Sequence, residues 1–89
     1  MIQVQNLVIS DAVAARLRAY ILDRLAKSPL GAESVSHLVE CVRVYERINI
    51  PTNHSFAMNV FEALGFTVKQ GVQVDPRRKA KEFSWAVTL

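Results

Sequence analysis

IPTNHSFAMNVFEALGFTVK, residues 50–69, is the stretch whose reading decides the fold. Pro51 disfavours helical backbone at Ile50, so the chain breaks there. Thr52 or Asn53 then offers a side-chain oxygen to cap a new helix. Phe56, Val60 and Leu64 recur at helical spacing with Ala57, Phe61 and Ala63 beside them, and His54, Ser55, Asn59 and Glu62 fall on the outward face. Gly65 suits a left-handed C-cap, where a Cβ costs ~1 kcal/mol or more. From Phe66 the apolar spacing becomes alternating, so a helix runs almost directly into a strand.

Downstream, Phe66, Val68, Val72 and Val74 alternate with Thr67, Lys69 and Gln73, and Gln70-Gly71 suggests a bulge. Phe83, Trp85, Val87 and Leu89 alternate with Ser84, Ala86 and Thr88, the pattern of a half-buried strand with its aromatic face on the helices. Asp75-Pro76 opens the connection, with Pro76 suited to the second position of a turn. The tip, VDPRRKAKE (residues 74–82), holds Arg77, Arg78, Lys79 and Lys81, four of the eleven Lys and Arg residues.

Upstream, Ile2 and Val4 alternate with Gln3 and Gln5, which suggests a short N-terminal strand. Ser10 or Asp11 caps an amphipathic helix carrying Val13, Leu17, Tyr20, Ile21 and Leu25, and Ser28-Pro29-Leu30-Gly31 stops it. A second helical pattern starts near Glu33 or Ser34 with Val35, Leu38, Val39, Val42 and Tyr45 on one face. Cys41, Val44 and Ile48 form a second apolar strip that calls for a cover, either the N-terminal strand or a second copy of the chain. The β-branched run CVRVYERINI is ambiguous between helix and strand and is taken as helical to about Arg47. The predicted elements are helices at about 11–27, 33–47 and 53–64 and hairpin strands at about 66–74 and 81–89, all in one α+β domain spanning 1–89.

Bulk properties agree with a single core. A chain of 89 residues buries about 60–65% of its unfolded surface. At 51% apolar and 21% charged, it is not composed like a disordered chain. The net charge of +3 favours an anionic partner weakly; its placement at one tip says more. One cysteine excludes an internal disulfide, and the absence of a basic leader or long apolar run predicts a soluble, cytoplasmic protein without a membrane span.

IPTNHSFAMNVFEALGF followed by FTVKQGVQVDPRRKAKEFSWAVTL resembles a winged helix-turn-helix domain: three helices, then a C-terminal antiparallel hairpin, the wing. A fainter likeness is to the small winged domains of phage and plasmid replication or regulatory proteins. The resemblance implies double-stranded DNA as partner, in transcription regulation or DNA replication, with the third helix in the major groove and the wing on the backbone. On that basis Thr52, Asn53, His54, Ser55 and Asn59 are the candidate readers. Arg77, Arg78, Lys79, Lys81 and Lys69 are the candidate phosphate contacts. The supposed reading helix has no Arg or Lys, whereas guanine readout commonly uses Arg. The rival expectation is therefore a protein-interaction module or a homodimeric adaptor with the same fold.

Other constellations point to less. Cations at a hairpin tip also keep edge strands apart. His37 and Cys41, four apart, share a helical face, but no second cysteine or oxyanion device accompanies them. No catalytic residue, metal site or cofactor is expected. Tyr20, Tyr45, Phe83 and Trp85 read as core aromatics, and Glu40 and Glu46 as surface charge.

Overall fold

Three side-chain oxygens start the three helices in this computed structural model, which describes residues 1–89. Ser10 Oγ accepts from the Val13 amide (3.2 Å) ahead of α1, Asp11–Lys27. Ser34 Oγ accepts from the His37 amide (3.3 Å) ahead of α2, Val35–Cys41. Asn53 Oδ1 accepts from the Phe56 amide (3.1 Å) ahead of α3, His54–Ala63. The end of α3 is a Schellman motif: Gly65 takes φ +100°, its amide donates to Glu62 O (2.9 Å), and the Phe66 amide donates to Phe61 O (3.1 Å).

Two small antiparallel sheets complete an α+β domain. The first is a hairpin of β1, Ile2–Val4, and β2, Leu7–Ile9, turned at Gln5 with φ +52°. The second joins β3 (Ala32–Ser34), β4 (Thr67–Gln70) and β5 (Trp85–Thr88) in the order β3-β5-β4. The core forms where the helices meet this sheet: Leu17, Ile21 and Leu25 from α1, Val35 and Leu38 from α2, Val60 and Phe61 from α3, and Val87 from β5 are all fully buried. No helix is long and apolar enough to cross a membrane.

Several expectations are corrected. The N-terminal strand has a partner, Leu7–Ile9, and β1 packs on α3, not over α2. The second helix starts at Val35 with Ser34 as its cap, while Glu33 falls in β3, a strand made by pairing with β5 and not by its own apolar pattern. After Cys41 the chain widens into a π-helical turn, Val42–Glu46, that ends at Arg47 with φ +55°. That wider turn rotates Val44 and Tyr45 off the line of Val35, Leu38 and Val42, leaving them 59% and 72% exposed. The hairpin strands are short. Gly71, at φ +73°, makes the last ladder bond to Ser84 O (2.9 Å), and residues 71–84 form a loop. Phe83 is thus 80% exposed, while Ala86, expected outward, is 2% exposed because β5 is the middle strand.

Arginines of α1 fasten the far ends of the other helical segments. Arg18 Nε donates to Leu64 O at the end of α3 (3.0 Å), and an Arg16 guanidinium nitrogen donates to Glu46 O at the end of the π-helical turn (3.0 Å). Arg43 similarly holds Ile50 O (2.8 Å). Arg16 and Arg18 thus satisfy orphan carbonyls and face the negative ends of their helical segments, while Arg43 pins the loop ahead of α3. Arg18→Ala is expected to lower the free energy of unfolding by about 1 kcal/mol. Phe61→Ala is expected to lower it by about 3–5 kcal/mol, both read from urea denaturation.

Candidate nucleic-acid interface

The loop 71–84 owes its shape to Gln73 and Asp75. Asp75-Pro76-Arg77-Arg78 is a turn with Pro76 in its second position, closed by the Arg78 amide donating to Asp75 O (3.1 Å). Asp75 Oδ1 accepts from the Arg77 amide (2.9 Å), an Asx-turn. Gln73 Nε2 donates to both Asp75 O (3.1 Å) and Arg78 O (2.9 Å), stapling the turn from the side. A second turn follows, in which the Ser84 amide donates to Lys81 O (3.1 Å). Arg77, Arg78 and Lys81 therefore sit on defined turns, with Lys79 on the link between them, rather than on a hairpin tip of continuous ladder.

These side chains are exposed and mostly uncompensated. Arg77, Lys79, Lys81 and Lys69 make no ion pair, and Arg78 reaches Asp75 only at 3.8 Å with both partners largely exposed. The loop holds four cations against two carboxylates, so two of the chain's three net positive charges reside there. Beside it runs a groove of about 810 Å³, whose remaining lining comes from the α1–β3 connection, β3, β5, the amino end of α2 and, from α3, His54 alone. Arg78, Lys79 and Lys81 line one side, His37 and His54 the other, with Trp85 and Ala86 among the remaining lining residues.

Of the residues singled out in the sequence, the groove brings together His54, Arg78, Lys79 and Lys81. Thr52 and His54 also border a smaller groove of about 260 Å³ against α2, with Val39, Glu40, Arg43 and Val44. Ser55, Asn59, Lys69 and Arg77 are exposed but line neither groove. Asn53 commits its side-chain oxygen to the helix cap. Sequence reasoning missed Gln73, His37 and Phe83 as parts of this region. Asp75-Pro76 carried a turn signal, whereas nothing in the alternating pattern marked Gln73 as a staple or Phe83 as outward.

His37 and Cys41 do meet, with Nε2 and Sγ 3.5 Å apart. An Arg24 guanidinium nitrogen lies 3.5 Å from the same His37 nitrogen and 3.4 Å from Glu33 Oε1, which Ser28 Oγ also reaches at 3.4 Å. Burial, with Cys41 alongside, raises the Tyr20 phenol above its ordinary value. No three His, Cys, Asp or Glu side chains converge as metal ligands would. The cluster ties α1 to β3 and α2.

Comparisons with protein-family models, with curated proteins and with solved structures returned no match. The order of the loop is open to direct measurement. Gln73→Ala is expected to speed hydrogen exchange at the Arg78 amide while changing global stability by no more than about 0.5 kcal/mol. Unchanged exchange would show that Gln73 does not hold the turn.

Proposed function

We propose that this chain is a winged-helix module that binds double-stranded DNA, serving transcription regulation or replication. The loop 71–84 is the wing and grips phosphates, and the amino end of α3 faces the major groove. The observation carrying this reading is the cluster of exposed cations on the loop, lining a groove that His54 at the start of α3 also borders. Lys79 and Lys81 are free of ion pairs, and Arg78 is held only at 3.8 Å by Asp75. Chain order supports it, because α3 runs directly into β4, the loop follows, and β5 returns beside β4. The free amides and dipole of α3 favour a phosphate near His54 and Ser55. The wing supplies affinity without sequence choice, since phosphate contacts carry no base information. Asn59, exposed one turn into α3, has the donor and acceptor needed to read adenine.

A second reading, as a protein-binding or homodimeric module, is favoured by Val44 and Tyr45, which stand exposed on the π-helical turn beside the smaller groove. Sedimentation separates it. A concentration-dependent dimer abolished by Tyr45→Ser supports self-association, and a monomer at all concentrations counts against it.

Anisotropy with random-sequence duplex at two salt concentrations tests the leading proposal. Binding is expected to weaken with salt, and Arg77→Ala, Arg78→Ala and Lys79→Ala together are expected to flatten the slope of log K by roughly 0.9 per lost phosphate contact. No binding at low salt would overturn it. Asn59→Ala is expected to relax sequence preference while leaving random-duplex affinity nearly unchanged.

A further inference from the structure

Phe83 is the most exposed large apolar side chain of the protein, at 80%. It is not at a frayed end: the Lys81–Ser84 turn directs it outward, and the Gly71–Ser84 ladder bond anchors the chain immediately behind it. Two residues on, the half-buried Trp85 begins β5, and both aromatic side chains line the same groove as Arg78, Lys79 and Lys81. An aromatic ring left in water on a positioned turn, among uncompensated cations, has the makings of a stacking platform and not of a core residue.

We propose that this groove takes the unpaired nucleotides of single-stranded DNA. Bases stack on Phe83 and on the accessible part of Trp85, while Arg78, Lys79 and Lys81 hold the adjoining phosphates. The groove is open to solvent, and its volume of about 810 Å³ lies within the range of small-molecule clefts, ~300–1,000 Å³. The stacking is tolerant of sequence, since every base has a π-face, and the cations add a salt-dependent hold on the backbone. Duplex DNA cannot use the platform, because its base faces are already covered by their neighbours. Glu33 does not repel the strand strongly, as it is paired with Arg24. Asp75 is the remaining acidic side chain in the groove wall, and Arg78 lies against it. The inference shares the cationic loop with the duplex-binding reading but needs nothing from α3.

Trp85, the only tryptophan, reports on the groove directly. Titrating the full chain with a short oligodeoxythymidine strand is expected to quench its emission, and a blunt hairpin duplex is expected to leave it nearly unchanged. Phe83→Ala is expected to weaken single-strand binding about tenfold without changing duplex affinity, and Phe83→Tyr to restore it. Phe83 contributes nothing to the buried core, so its replacement is expected to leave the fold intact, which circular dichroism of each variant checks. Absence of quenching in the wild type overturns the proposal, as does a Phe83→Ala variant that binds the single strand normally or loses both ligands equally. Single-strand binding without duplex binding would sink the major-groove reading and leave this one standing; duplex binding without quenching would do the reverse.

Discussion

Val87 is paired with Glu33 on one side and Val68 on the other, and this double pairing of β5 is the constraint on which the remaining architecture depends. Ser34, opposite Ala86, caps α2, so the register of β3 fixes where that helix begins. β4 follows α3 through the Gly65 cap, so the register on the other side fixes where α3 ends. A slip of one residue in β5 turns Val87 out of the core and displaces both helices relative to the loop. The fully buried Val87 makes such a slip costly, since its methyl groups pack into the same cluster as Leu17, Leu38 and Phe61.

The cations divide into two populations by what their partners are. Arg16, Arg18 and Arg43 spend their donors on backbone carbonyls at the ends of helical or loop segments, and Arg24 on Glu33. Hydrogen bonds from a charged donor are worth roughly twice neutral ones, so these arginines are part of the scaffold despite lying near the surface. Arg77, Lys79 and Lys81 have no such partner. Arg47 and Lys69 are also exposed without a partner, but three of the five unspent cations lie within five residues on one loop. That contrast distinguishes an electrostatic surface from cations that merely finish the fold.

The sequence made α1 and α3 readable because each combines a capping side chain with apolar residues at one period, and Gly65 supplies a stop. β3 was not readable: Ala32-Glu33-Ser34 has no alternation, and its strand character exists only through β5, distant in sequence. The π-helical turn was hidden because Val42 and Tyr45 continue one helical stripe and Val44 a second until the turn widens. Alternation at Val72, Val74 and Phe83 suggested a long hairpin, yet Gly71 ends the ladder and Pro76 lacks an amide to extend it. The cation cluster was visible from residue order alone, in the run Arg77-Arg78-Lys79-Ala80-Lys81. The groove facing it was not, since it requires the positions of α2, α3 and β5 together.

The loop bounded by the Gly71–Ser84 bond has a consequence for how this protein can change over generations. Its own hydrogen bonds are local, and it contributes no fully buried side chain to the core. Closing a flexible loop costs free energy that rises only slowly with length, by about 0.6 kcal/mol for each doubling. Residues can therefore be inserted, deleted or recharged between Gly71 and Ser84 at small expense to the scaffold. Selection is free to tune the reach and charge of this segment while the packing around Val87 stays as it is.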